Sequence, residues 1–400
     1  MNHITEMITR RPFARPLFLW IIGLLLYVYV SDLWLFALLL AGWLLLLLGV
    51  GLNYCHKSGS LGYTHRWMSG LPLLLLLLTL SVETCYLRAR YPVTAFPAMQ
   101  QKAAETRELL VSRLDDLSLS DAEKSLLATL VLGYRQSLPQ GVRQQFAAAG
   151  VAHVLAVSGF HVAVVCGLLS GLTCMLRRWA WGRLIRLLLL LGGLWGFAFL
   201  TGLSASAIRA SLMLTFYLVG KHFALQRDPS NTLAAAAFCM LAYHPYYLFD
   251  VGFQLSFLAV WFILAWMPLF QKRMIVRNPL LAYPWNSLLV ALAAQLGTFA
   301  LTFYYFNQVS LLFLWVSLPI SVMASWLLPV TLLWLCLPSG GWIASVGQMW
   351  IEWLVNMLLR CVERCAELPF ATLHWSCGGV EVIVIYTLLG LGWMLLDKKS

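Results

Sequence analysis

Ala152-His153-Val154-Leu155-Ala156-Val157-Ser158-Gly159-Phe160-His161-Val162 stands where a polar, charge-mixed stretch, residues 88–150, gives way to an unbroken apolar run. A lipid-facing span has no use for two histidines, a serine and a glycine at its outer end. On one continuous helix His153, Val157 and His161 fall four apart and share a face, with Ser158 one turn before His161. Ionisable groups at membrane depth are costly and face protein or water rather than lipid. The stretch is therefore read as the start of a span that faces protein or water, in an all-α, polytopic helical membrane protein.

Composition agrees. Of 400 residues, 61% are apolar and 11% charged, where a soluble chain carries about a quarter charged residues. Apolar runs near membrane-spanning length recur throughout, continuous rather than alternating, so a β-barrel is excluded. About ten to eleven membrane segments are expected, with an outer helical segment and an interfacial amphipathic helix. The net charge of +11 invites a nucleic-acid reading, but the positive-inside rule accounts for most of it. Arg10, Arg11, Arg15, Lys57, Arg66, Arg177, Arg178, Arg183, Arg186, Lys221, Arg227, Lys272, Arg273 and Arg277 fall at one set of span ends. The loops near Asp32, Ser204, Asp250 and Asn307 hold no Lys or Arg. This places the N-terminus in the cytoplasm of a multi-pass plasma-membrane protein.

Four sections are expected. Residues 1–87 hold N-terminal membrane helices, with a tight turn at Ser31-Asp32. Residues 88–150 form an extracytoplasmic amphipathic helical segment, in which Ser120 and Glu123 make a capping-box pattern and Pro139 and Gly150 bracket a short helix. Residues 151–338 form the core, and 339–400 an interfacial amphipathic helix and a last span. Within the core, His153–Leu176 is expected as one span, Asn231 as the cap of the span that ends near Phe249, and Leu311–Leu337 as a half-helix plus a span, broken at Pro319 and Pro329. Gly159, Gly167, Gly171, Gly202 and Gly252 are candidates for helix packing, Gly167 and Gly171 as a G-x-x-x-G pair.

Arg209 is a cation one or two turns inside its span, read equally as bland, by snorkelling or in one buried ion pair, or as functional. Asp250 at a helix start suits a cap, and Gln254 and Ser256 suit hydrogen bonds between helices. The nine cysteines are scattered; no metal site and no cofactor is expected. Ser158 and His161 at i,i+3 permit the proximity of a nucleophile and its base, so an intramembrane hydrolase is a minor reading. The main reading is not an enzyme.

Three blocks in order resemble the membrane domain of ComEC-type competence proteins: Gly150-x-x-His153-x-x-Ala156-x-Ser158-Gly159-x-His161-Val162, then Leu200-Thr201-Gly202-x-Ser204-x-Ser206-x-x-Arg209-Ala210, then Asp250-x-Gly252-Phe253-Gln254-Leu255-Ser256-Phe257, with Arg227-Asp228-Pro229 and Asn231 between the last two. The resemblance implies a bacterial inner-membrane channel that takes up single-stranded DNA in natural transformation. It implies that His153, Ser158, His161, Arg209, Asp250, Gln254 and Ser256 line or gate the passage. Family members often carry an OB-fold-like domain, where residues 88–150 stand here, and a metallo-β-lactamase-like domain, of which no H-x-H-x-D-H motif is found in this sequence. The expectation is a channel without its own nuclease. With no G-x-x-x-x-G-K-[ST] loop present, the implied partners are a separate DNA receptor, a nuclease and an ATP-driven cytoplasmic protein, with membrane lipid around it and a homo-oligomer among the arrangements. A transporter of small or lipid-linked substrates on the same core is the rival.

Overall fold

The structure is a computed structural model. It describes residues 12–30, 40–51, 66–91, 97–223, 228–274, 276, 278–310, 313–338, 341–367, 372–374 and 377–397. The Ser31-Asp32 turn, most of the basic loop up to Arg66, and Arg10, Arg11, Arg227, Arg277, Lys398 and Lys399 lie outside the described residues. The chain divides into two compact units, residues 1–95 with 226–254, and residues 96–225 with 255–400.

The first unit holds α1 (Ala14–Tyr29), α2 (Leu40–Gly51), α3 (Arg66–Arg90) and α10 (Pro229–Tyr243), then a 3-10 turn, Pro245–Phe249. Helices α1 and α3 approach closely because Gly23 has no side chain: a Cβ there would overlap Ser81 Oγ and come within 2.8 Å of the Leu78 carbonyl. Trp20 meets Phe238 of α10 edge-on, centroids 5.1 Å apart. Asn231 does not cap α10. Asp228 does, its Oδ1 accepting the Ser230 N–H at 2.8 Å, with Pro229 in the first turn, where its missing N–H costs nothing. Asn231 Oδ1 instead accepts the Phe13 N–H at 2.8 Å.

The second unit opens with the polar segment, helical as expected: α4 (Pro97–Arg113), α5 (Asp121–Leu132) and α6 (Gln140–Ala148). The capping box at Ser120 forms, Ser120 N–H donating to Glu123 Oε2 at 2.7 Å and Glu123 N–H to Ser120 Oγ at 3.4 Å. Pro139 is the N-cap of α6, and Gly150, at φ +76°, closes it with a Schellman pair, Val151 N–H to Phe146 O and Gly150 N–H to Ala147 O. Leu126 to Leu132 and Phe146 are buried.

The apolar helices follow: α7 (Gly159–Leu172), α8 (Ala180–Leu200), α9 (Ala205–His222), α11 (Val251–Arg273, whose first residues belong to the first unit), α12 (Pro279–Phe306), α13 (Phe313–Leu335), α14 (Trp342–Ala366) and α15 (Gly379–Asp397). Among the described residues five helices are long and apolar enough to cross a membrane, in α8, α11, α12, α13 and α15, and α1, α2 and α7 are apolar but shorter. The all-α polytopic architecture stands, with fewer full-length spans than the ten to eleven read from sequence. Helix α9 carries Arg209 and Lys221, and α7 is shortened from the expected His153–Leu176.

Two prolines do not break α13. Pro319 and Pro329 lie inside one helix of 23 residues. Each removes one N–H, and neighbouring helices tolerate the freed carbonyl in a membrane helix. Helix α14 buries Ile351, Leu354, Val355, Leu358 and Val362 against the core, while Trp342, Trp350 and Trp353 are exposed. Glu352 of α14 accepts the Ser118 N–H at 2.9 Å. A short antiparallel pairing joins β1 (Gln308–Ser310) to β2 (Thr372–His374), with Val309 opposite Leu373.

Arg113 ties the polar segment to the end of α13, donating to the Leu335 carbonyl at 2.7 Å and the Leu337 carbonyl at 2.8 Å. Carbonyls at a helix C-terminus have no partner within the helix, and a guanidinium fork satisfies two at once. Arg113→Ala is expected to cost about 1.5–3 kcal/mol, read as an earlier thermal transition of the purified chain in detergent. Arg113→Lys, which offers no fork, should recover only part of it.

Candidate functional site

The opening block does not form one helix. Ala152–Leu155 is a 3-10 turn, Ala156 and Ser158 are extended, and α7 begins at Gly159. His153 and His161 therefore do not share a helical face. The reason is local. Ser158 is the N-cap, and its hydroxyl lies 2.9 Å from His161 Nδ1 while its own N–H donates to the same atom at 3.2 Å. His161 takes the place that Glu or Gln holds in a capping box. Because Nδ1 accepts the backbone N–H, the ring proton of the neutral imidazole is on Nε2. His161 is buried, and Nε2 has no hydrogen-bond partner.

The second block packs on the first. Helix α8 ends in a Schellman motif, Leu203 N–H to Ala198 O at 2.8 Å and Gly202 N–H to Phe199 O at 2.9 Å. Gly202 has a φ of +74°, and a Cβ there would lie 2.6 Å from the Arg107 guanidinium of α4; Leu203 also has positive φ. Ser204 then caps α9 through the Ala207 N–H. Ser206 donates to the Val157 carbonyl, the residue before the Ser158 cap. A Cβ on Gly159 would lie 3.7 Å from Ala210 Cβ, so the starts of α7 and α9 are in contact. Gly133, the left-handed C-cap of α5 (φ +69°), completes the corner; a Cβ there would lie 3.0 Å from Val157 Cγ2 and 3.3 Å from the Thr201 carbonyl. Arg209, one turn deeper in α9, is 6% exposed. It is held inside the protein and does not snorkel.

Other glycines differ from expectation. Gly167 and Gly171 face open space, and the close α7–α8 approach is at Gly193, where a Cβ would overlap Leu169 Cδ1. Gly252 is the second residue of α11.

The third block lies at the start of α11. Asp250 Oδ1 accepts the Phe253 N–H at 2.7 Å, the cap its position suggested. Gln254 Nε2 donates to the Leu248 carbonyl at 2.9 Å, bracing the turn before its own helix. Ser256 is half-buried one turn further on. Asp250 and Gln254 belong to the first unit, and His153, Ser158, His161, Arg209 and Ser256 to the second.

His153 leads to residues that the sequence reading missed. It lines a recess of about 390 Å³ with Phe160, with Asn286 and Ser287 of α12, and with Ser317, Ser321 and Ser325 of α13. Spaced four apart, the three serines form a stripe along one face. Ser317 is buried with an unpartnered Oγ, while Ser325 donates to the Val322 carbonyl at 2.7 Å. The i,i+4 repeat was visible in the sequence, but the two prolines suggested a broken segment and hid it.

Ser158 and His161 meet the distance needed for a base-activated hydroxyl. The imidazole nitrogen that faces the hydroxyl is, however, also the acceptor that fixes the start of α7. Among the described residues no three His, Cys, Asp or Glu side chains gather as metal ligands.

A family model described as competence protein matches residues 130–399. ComE operon protein 3 of Bacillus subtilis (strain 168) is 27% identical over 308 residues, which are 75% of this chain and 38% of that protein. The chain thus spans well under half the length of that curated relative. No solved structure matches.

Proposed function

The chain belongs to the competence protein family, and on that premise we propose that it forms a plasma-membrane conduit for single-stranded DNA in natural transformation. The observation that carries the proposal is the group of polar side chains gathered in a largely apolar recess between α12 and α13. Helices otherwise built of Leu, Ala, Phe and Trp present Asn286, Ser287 and three serines of α13 to one cavity, and His153 of the turn before α7 joins them. A polyanion crossing a bilayer needs hydroxyl, amide and cationic groups in place of water. Arg209, buried near the Ser158 cap, is assigned as a phosphate contact, and His153 and His161 as lining or gating groups. Asp250 and Gln254 are assigned to shaping the entry to α11, and Ser256 to the lining.

The chain is placed in the bacterial plasma membrane with its N-terminus in the cytoplasm. Its proposed partners are a DNA receptor, a nuclease and an ATP-driven cytoplasmic protein, and it acts alone or as a homo-oligomer. Its work is transport, and Ser158 and His161 are assigned to the start of α7 and to the lining rather than to hydrolysis.

Deleting the gene and following labelled DNA past the plasma membrane is the direct test. Loss of import is expected. Normal import, with no second copy of the gene, overturns the proposal and favours the transporter of small or lipid-linked substrates. Arg209→Ala, with the protein still present in the membrane, is expected to lower import about tenfold, the equivalent of ~1.4 kcal/mol on the transit barrier. Arg209→Lys should retain more. Unchanged import in Arg209→Ala would remove the phosphate role.

A further inference from the structure

At one end of α8 and α9 a groove of about 610 Å³ gathers four permanent cations, Arg177, Arg183, Arg186 and Lys221. They come from three elements: the 3-10 turn Cys174–Arg178, the first two turns of α8 and the last turn of α9. The positive-inside rule explains why such residues sit at this end of the spans. It does not explain their convergence on one recess, since solvated cations repel and spread apart. No carboxylate is among the groove's lining residues. Arg186 reaches the Ser170 carbonyl only at 3.5 Å, and its buried Nε has no partner among the described residues. Lys221 Nζ stands 5.8 Å from the centroid of the Tyr217 ring.

Besides His222 at the end of α9, the rest of the groove is largely hydrocarbon. Leu187, Leu190 and Leu218 are buried along it, Leu184 is partly exposed, and Trp181 stands 79% exposed at its rim. A free inorganic anion has no use for leucines. A nucleic-acid strand prefers flat aromatic faces for its bases, and here one indole and one imidazole accompany four aliphatic side chains. A phosphate joined to acyl chains matches both halves of the groove. Basic pockets between membrane helices hold such headgroups, and a tryptophan at the rim suits the boundary between headgroup and acyl region.

We propose that the groove between the starts of α8 and the end of α9 is a binding site for one anionic glycerophospholipid, its phosphate held by Arg183, Arg186 and Lys221 and its acyl chains laid along Leu184, Leu187 and Leu218. The site is independent of the DNA-conduit reading.

The test uses the full-length chain, delipidated in detergent, with lipid adducts measured by native mass spectrometry. Dioctanoyl phosphatidylglycerol is expected to bind roughly tenfold more tightly than dioctanoyl phosphatidylcholine. The preference should vanish in Arg186→Gln/Lys221→Gln and return in Arg186→Lys/Lys221→Arg. Lys221→Gln alone, at an exposed position, should weaken it several-fold while the thermal transition stays in place. Equal binding of the two lipids overturns the site, as does a preference that survives the double Gln change or fails to return with charge. Displacement of phosphatidylglycerol by inorganic phosphate at matched concentration would identify a free-anion site instead. Displacement by a single-stranded oligonucleotide would identify a DNA contact. Either result overturns the lipid assignment.

Discussion

Replacing Ser317, Ser321 and Ser325 together by leucine is expected to reduce DNA import by about a hundredfold or more, while the chain still inserts and folds. The three side chains line the recess from one face of α13. Leucine lacks the hydroxyl and fills the space it borders. Alanine removes the hydroxyl and leaves the space open. Hydroxyl hydrogen bonds within membrane proteins are worth about 0.6 kcal/mol each, so the triple alanine variant should lose roughly tenfold to thirtyfold. The two variants thus separate polarity from passage. Import of a labelled single strand into cells making each variant, normalised to membrane-inserted protein, supplies the measurement. Near-normal import in the leucine variant would show that DNA does not pass along this face of α13.

Gly133→Val should be the most damaging single change to the corner where the polar segment meets the apolar helices. Gly133 sits at φ +69°, a left-handed conformation that costs an L-residue roughly 1–2 kcal/mol and a β-branched one more. Its added carbons would also press on Val157 and the Thr201 carbonyl, and overpacking of this kind costs about 1–3 kcal/mol. Neither neighbour is a free-ended chain that swings aside: Val157 is buried and its carbonyl takes the Ser206 hydroxyl, and Thr201 is buried at the end of α8. A loss of ~3–5 kcal/mol follows, read as a lowered thermal transition in detergent with loss of import. Gly167→Ala is the control. Its Cβ meets nothing within 4 Å, and alanine favours a helix over glycine by about 1 kcal/mol, so stability should hold or rise. Equal damage from the two changes would show that the Gly133 corner carries no special constraint.

Features set by a few adjacent residues were legible in the sequence. Ser120 with Glu123, Pro139 with Gly150, and Asp250 before α11 each act over one helical turn, and each appears in the structure where the pattern placed it. The order of the apolar runs was equally legible, because hydrophobicity summed over a span is a strong signal. Errors arose where a polar side chain had two local options. Ser158 and His161 looked like groups on one face of a long helix beginning at His153, but together they cap, and a cap ends the helix's backward extension. Asn231 suited a cap, but Asp228, three residues earlier, takes it, with Pro229 in the first turn. Pro319 and Pro329 looked like breaks because the rule for water was applied to a helix flanked by other helices. Gly193 against Leu169, and the joining of His153 to serines more than 150 residues away, depend on tertiary neighbours that no single stretch encodes.

The β1–β2 pairing has a topological consequence. It sets Ser310 opposite Thr372, so the chain leaves α12, builds the α13–α14 hairpin and returns to the point of departure before entering α15. Across such a ladder, facing Cα atoms are about 5 Å apart. The two ends of the hairpin are thus clasped, and its sequence neighbours are joined whether it is long or short. Because closure entropy grows only with the logarithm of loop length, about 0.6 kcal/mol per doubling, the clasp tolerates a hairpin of another size. The stretch that carries the serine stripe is held twice, by the clasp at its ends and by the contacts of α13 and α14 with the polar segment and the core.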